Sequence, residues 1–171
     1  ILKTILDKNT IELRNAGLMN IFLDCINLRD VFFFEKNVSV DLEYPINPKV
    51  PAEAIDILIH DDNNALIIEN KLNNAVDQKD QLVRYMKFVE EELKISNYYV
   101  VYLTLVPGKK PPINDYSSVF EKYKKKLVSG NKLIFLSAVE NDEEKKSLES
   151  FFITSSEKKI ENHCKIETTG D

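Results

Sequence analysis

The sequence predicts one α/β domain built on a mixed central β-sheet flanked by helices. Three observations predict it. Apolar and polar residues alternate over 38–44, as in a strand, and 55–71 reads as two apolar strands joined by a polar turn. The run "NYYVVYLTLV" at 97–106 is continuously apolar and aromatic-rich, as in a strand buried on both faces. Stretches with apolar residues at helical spacing precede, separate and follow these strands.

In order, "NTIELRNAGLMNIFLDCINL" carries Ile11, Leu18, Ile21, Phe22, Cys25, Ile26 and Leu28 on one helical stripe, with Asn9 or Thr10 able to cap its start. Val38, Val40, Leu42 and Tyr44 alternate with polar residues in a half-buried strand, and Pro45, Pro48 and Pro51 then break the chain. A hairpin follows over 55–71. "NAVDQKDQLVRYMKFVEEELK" repeats Val76, Leu82, Tyr85, Met86, Val89 and Leu93 at helical spacing. After the strand at 97–106, "DYSSVFEKYKKKLVSG" predicts a helix stopped by Gly130, and "KLIFL" at 132–136 a further strand. "SAVENDEEKKSLESFF" reads as a last helix with a capping box at Ser137 and Glu140. The expected organisation is a single domain over 1–171. Its core covers about 11–106, additional helices and a strand 107–153, and a polar tail 154–171.

Composition narrows the function. The 171 residues suffice for one sizeable core, and 43% hydrophobic with 30% charged residues is ordinary for a soluble globular chain. No apolar run approaches the ~20 residues of a membrane span, so no membrane association is expected. The opening "ILKTILDKNT" has no signal-peptide pattern, and it lacks an initiator methionine, as an excerpt would. Cys25 and Cys164 lie far apart, and with His60 and His163 they form no zinc spacing; a reducing, cytoplasmic compartment is the expectation. A net charge of −5 and a pI near 5.2 argue against attachment to nucleic acid by bulk charge. They do not argue against an acidic metal site, because a bound cation offsets its charge.

The hairpin "DILIHDDNNALIIENKL" holds the chemically informative residues. A turn centred on Asp62 and Asn63 pairs Ile59 with Leu66, Ile57 with Ile68 and Asp56 with Glu69. Alternation then puts Ile55, Ile57, Ile59, Leu66, Ile68 and Asn70 on one face, and Asp56, Leu58, His60, Ala65, Ile67, Glu69 and Lys71 on the other. Like charges directly opposed on neighbouring strands are destabilising. Two carboxylates at one end of otherwise apolar strands therefore call for positive charge, from Lys71 and from a divalent cation with oxygen ligands. A salt-bridged cluster at a sheet end is the plainer alternative.

The spacing of Asp56 from "Glu69-Asn70-Lys71" resembles the PD-(D/E)XK nuclease superfamily, in which an acidic residue on one strand and a (D/E)xK triplet on the next form the site. It is most similar to an uncharacterised bacterial group with "IEnK" and "QLxrY" signatures. The resemblance covers roughly 11–106 and implies a restriction-endonuclease-like core. It implies that Asp56, Glu69 and Glu12 of "IELRNAGLMNIFLD", with the backbone carbonyl of Asn70, bind Mg²⁺, for which Mn²⁺ is expected to substitute. It implies that Lys71 positions or activates the attacking water, and that Gln81 of "QLVRY" leans toward the site from the following helix. Tyr85 lies four residues on, on the same helix face, and either contacts substrate, supports the site, or is an ordinary core-edge residue. Lys79, Arg84 and Lys87 are candidate phosphate contacts; Lys109, Lys110 and Lys124 to Lys126 read more simply as solvated lysines. Glu12 also reads as plain helix-start electrostatics. The sequence departs from the family pattern at Ile55, where a proline is usual, and at Ala54 and Asn15, where basic residues are common.

The implied activity is metal-dependent hydrolysis of nucleic-acid phosphodiester bonds, as by a DNA endonuclease, with a homodimer as one arrangement for cutting two strands. The alternatives are a catalytically inactive nuclease-fold domain that binds nucleic acid or protein, and an acidic protein-interaction module, for which "ENDEE" speaks.

Overall fold

The computed structural model describes residues 17–35, 38–50, 53–72, 75–105 and 108–139. They form a five-stranded mixed sheet in the order β1-β2-β3-β4-β5. The elements are α1 (Leu18–Cys25), β1 (Ser39–Pro45), β2 (Ala54–His60), β3 (Asn64–Lys71), α2 (Gln81–Glu91), β4 (Asn97–Thr104), α3 (Glu121–Val128) and β5 (Leu133–Ser137). Strand β2 is antiparallel to both β1 and β3, whereas β3, β4 and β5 run parallel, joined by crossovers that carry α2 and α3.

The hairpin has the register that its turn chemistry predicts: Ile57 pairs with Ile68, Leu58 with Ile67, Ile59 with Leu66 and His60 with Ala65. Asp61 sets the turn. Its Oδ1 accepts the backbone N–H of Asn63 (2.8 Å) and Asn64 (2.7 Å), and its Oδ2 accepts that of Glu35 (2.6 Å). Burial alone would raise its pKa, but these donors outweigh burial and lower it.

Two apolar layers sandwich the sheet. On one face Phe22 of α1, with Ile26 and Phe32 beyond the helix, covers Ile57, Ile59, Leu66, Ile68, Val101 and Leu103. On the other, Leu82, Tyr85, Met86 and Val89 of α2 and Tyr123 and Leu127 of α3 cover Leu58, Ala65, Ile67, Val100 and Tyr102. Truncating a fully buried aliphatic such as Leu66 to alanine costs about 2–5 kcal/mol. Strand β3 is therefore buried on both sides, which makes a charge placed on it expensive.

The elements differ from the sequence expectation in four places. Ile55 packs with Leu58 on the α2 face, not with Ile57. The β1–β2 ladder skips Glu43 and Asp56, and Glu43 has φ 48°, so strict alternation is broken there. The same distortion leaves Leu42 of the edge strand half exposed. Helix α2 begins only at Gln81, because Asp80 is left-handed at φ 57° and its carboxylate accepts the N–H and O–H of Ser117 (both 2.6 Å); Val76 consequently lies outside the helix and in solvent. The residues before α3 form short 3-10 turns at Ile113–Asp115 and Ser118–Phe120 instead of helix. Gly130 lies two residues past α3, where a Cβ would come 2.5 Å from the Lys126 carbonyl oxygen, so the close approach there requires glycine; the left-handed residue that turns the chain away is Asn131 (φ 50°). Ser137 is the last residue of β5, and its hydroxyl donates to the Val139 carbonyl (2.8 Å). The predicted helix beyond it, the residues 9–16 of the first helix and the tail lie outside the described residues. No helix among the described residues is long and apolar enough to cross a membrane.

Glu90 ties three elements together. It accepts from Tyr98 of β4 (3.0 Å) and from Lys122 (2.6 Å) and Lys126 of α3. Burial would raise its pKa, but these three donors outweigh it and hold the carboxyl at about 2. A folded pKa below the unfolded 4.5 stabilises the protein fully above pH 4.5, and that stabilisation is lost as pH falls toward 2. Urea unfolding should therefore show Glu90→Gln to be roughly 1–2 kcal/mol less stable than wild type at pH 7. The gap should close as the pH is lowered; a gap that persists in acid would assign the loss to packing instead of charge.

Candidate active site at the ends of β2 and β3

The sheet opens where β2 begins. The β2–β3 ladder ends at Ile57 and Ile68, so Asp56 and Glu69 are not the directly opposed pair that the register predicts. Instead the Oδ2 of Asp56 accepts the Asn70 backbone N–H (2.7 Å), taking the place of a ladder carbonyl. This fixes Asp56 beside Glu69 without leaving the N–H of Asn70 orphaned. The pKa of Asp56 is raised, by burial first and by the charge of Glu43, against the opposing Asn70 hydrogen bond and Lys71.

Glu69 is 1% exposed. Burial, reinforced by the charge of Asp56 and only partly countered by Lys71, pushes its carboxyl up to about 7. One oxygen, Oε1, accepts from Lys71 Nζ at 2.7 Å. The other, Oε2, is buried and makes no hydrogen bond of normal geometry among the described residues, although the Tyr85 hydroxyl and the Asp56 carboxyl stand close enough to act on the Glu69 carboxyl. Such an orphan acceptor is costly and uncommon in a native fold.

Lys71 is 3% exposed and is enclosed by acceptors. Besides Glu69, Nζ donates to Gln81 Oε1 (3.0 Å) and to the Val76 carbonyl (3.3 Å), and Asp77 Oδ1 lies 3.8 Å away. Gln81 is oriented in turn. Its Nε2 donates to the Tyr85 hydroxyl (2.8 Å), and that hydroxyl donates to the Ala54 carbonyl (2.6 Å) at the start of β2. Gln81 and Tyr85 are one turn apart on α2, which is what lets one side chain hold the other. Burial and the nearby charge of Glu69 raise the Tyr85 pKa, so it stays a neutral donor.

The structure thus brings Asp56, Glu69, Asn70, Lys71, Gln81 and Tyr85 together. Tyr85 is 2% exposed and stands behind Gln81, the position of a support. The guanidinium of Arg84 is taken up by Glu53 (2.6 Å) and Gln78 (3.0 Å). Lys79 and Lys87 are on the surface, and Lys87 lies 3.8 Å from Glu91. Glu12 falls outside the described residues. Two neighbours were not anticipated from the sequence: Asp77, and Tyr102, whose hydroxyl is bonded to both Asp77 oxygens (2.9 and 3.1 Å). Only the parallel register that sets Glu69 beside Tyr102 reveals them.

The donor set fits a hard divalent cation, since Glu69 Oε2 and the adjacent Asp56 carboxylate are oxygen ligands for which Lys71 is the one nearby cation and is itself ion-paired to Glu69 Oε1. Among the described residues no three histidine, cysteine or carboxylate side chains make up a complete metal cluster.

A family model described as the PD-(D/E)XK nuclease superfamily matches residues 5–163. The chain belongs to that superfamily, and its sheet and helices form the α/β restriction-endonuclease-like fold. Nucleases of this superfamily typically use divalent metal ions. No curated protein and no solved structure matches the chain.

Tyr85→Phe keeps the ring and removes the one hydroxyl that serves both Ala54 and Gln81. It should cost about 1–3 kcal/mol in urea unfolding, the usual penalty for orphaning buried polar groups. An unchanged midpoint would show that Gln81 is positioned without it.

Proposed function

We propose that this protein is a metal-dependent nuclease that hydrolyses phosphodiester bonds, acting on DNA as an endonuclease. The observation that carries the proposal is the buried, unpartnered Oε2 of Glu69 beside Asp56, with an enclosed lysine two residues along the same strand. A salt-bridged structural cluster would pair both oxygens; a site awaiting a cation leaves one open.

In this reading Asp56 and Glu69, with Glu12 and the Asn70 carbonyl, hold Mg²⁺ or Mn²⁺. The cation, when bound, supplies Lewis acidity toward the scissile phosphate and toward water. Lys71 places a positive charge where negative charge develops on the reacting phosphate, and it orients the attacking water. Gln81, the Val76 carbonyl and Asp77 keep the ammonium in place independently of Glu69. Tyr85 keeps Gln81 facing the lysine. Lys79 and Lys87 sit on the exposed side of the segment that follows the hairpin and are the candidates for flanking phosphates, with Arg84 between them braced on Glu53.

The test is cleavage of supercoiled plasmid and of a labelled single strand in Mg²⁺, Mn²⁺ or EDTA. Wild type should cut only with metal, and Lys71→Ala and Glu69→Ala should each lose about 100-fold or more of the rate. Absence of cutting together with absence of Mn²⁺ binding by calorimetry would sink the proposal and leave a nuclease fold used for binding.

A further inference from the structure

The face that carries Glu69 and Lys71 continues sideways. The parallel register aligns Glu69 with Tyr102 and Phe135, and Lys71 with Thr104 and Ser137, in two rows across β3, β4 and β5. Neighbouring strands lie about 4.8 Å apart, so the third residue of each row is roughly 10 Å from β3. At that place is a cavity of about 170 Å³ lined by Thr104, Phe135, Ser137, Gly108, Lys109 and Lys110. Gly108 has φ +102°, a conformation that L side chains rarely adopt, at the start of the segment bearing both lysines. Lys109 Nζ donates to the Ala75 carbonyl (2.8 Å), next to Val76 and Asp77, so the cavity rim is joined to the segment that encloses Lys71.

Two properties of the cavity point to its ligand. First, Lys109 and Lys110 have no carboxylate within ion-pair distance among the described residues; Lys49, Lys79, Lys94, Lys124 and Lys132 likewise have none, but only Lys109 and Lys110 line this cavity, whereas Lys122 and Lys126 are neutralised by Glu90, Lys125 by Glu121 and Arg84 by Glu53. In a chain of net charge −5, attraction for a polyanion has to come from such unneutralised cations. Second, Phe135 is 40% exposed although it is aromatic and in a strand, with only an edge-type contact to Tyr102 (centroids 6.4 Å, 78°). An exposed ring flanked by lysines is the usual platform for an unpaired base and its phosphate.

We propose that this cavity is a nucleotide subsite. It takes one nucleotide of the bound strand beside the reacting one, with the base on Phe135 and the phosphate at Lys109 and Lys110. This rests on the nuclease reading above and adds to it the requirement that the strand be unpaired at that point, because a base held in a duplex presents no free face to the ring.

The test is fluorescence anisotropy with a labelled single-stranded oligonucleotide in EDTA, across a salt series, for wild type, Lys110→Ala, Phe135→Leu and Phe135→Tyr. Lys110→Ala should weaken binding several-fold and reduce the log–log salt slope by about 0.7, the loss of one phosphate contact on a single strand. Phe135→Leu keeps the apolar volume and should weaken binding about tenfold with an unchanged slope, and Phe135→Tyr should restore it. Thermal unfolding of the same variants separates a folding defect from a lost contact. Equal affinity and slope in all four proteins would overturn the subsite and leave the nuclease reading standing. Loss in Phe135→Leu that Phe135→Tyr does not rescue would overturn the stacking role. Failure of the wild type to bind the single strand would overturn the subsite, while the nuclease reading is decided separately by the cleavage and Mn²⁺-binding tests above.

Discussion

The site depends on one buried charge. Lys71 brings an ammonium into a sheet end where it is almost wholly removed from water, and every group near it answers that cost. Glu69 compensates the charge from the same strand. Gln81, Val76 and Asp77 supply further acceptors from the chain that follows. Tyr85 and Tyr102 do not touch the lysine through any hydrogen bond, yet each fixes a group that faces it, one through Gln81 and the other through Asp77. The acidic residues therefore do not form a free cluster. They are arranged around a cation that the chain itself provides, and the one Glu69 oxygen without a hydrogen bond is where the proposed metal ion would add a second positive charge.

The sheet makes this arrangement rigid. Strand β3 is covered on one side by α1 and on the other by α2, so neither Glu69 nor Lys71 can swing to solvent without breaking an apolar layer. The irregularity is confined to the β1–β2 ladder, where Glu43 of β1 turns left-handed and Asp56 of β2 leaves the ladder to hold the Asn70 N–H with its side chain. A regular ladder would have pushed the two carboxylates into direct opposition. The distorted one puts Asp56 on a backbone donor first and beside Glu69 second.

Much of this was legible in the residues, because the informative signals were local. Period-two alternation and the Asp-Asp-Asn-Asn turn set the hairpin register, and that register led directly to Asp56, Glu69 and Lys71. Gln81 and Tyr85 were legible through the resemblance of "QLVRY" to a family element, with helical spacing adding that they share a face. What escaped was non-local. Asp80 ends the upstream reach of α2 only because Ser117, far along the chain, binds its carboxylate. Ile55 changes face because of a backbone conformation on the neighbouring strand. Asp77 and Tyr102 belong to the site only through strand pairing that no spacing rule encodes, and the row that runs on to Phe135 depends on a second such pairing.

The parallel pairing of β3 with β4 has a consequence for how the molecule acquires its site. A hairpin forms early, since its ends are close in sequence, and it already contains the Asp56–Asn70 contact. The Lys71 enclosure is different. Asp77 is held by a tyrosine from a strand that joins only after α2 has crossed over the sheet, and such long-range closure is slow. Before β4 docks, the chain has its carboxylates in rough position but lacks the ordered surroundings of the lysine. Competence thus arrives late and all at once, with completion of the sheet, so that a partly folded chain does not present an assembled centre.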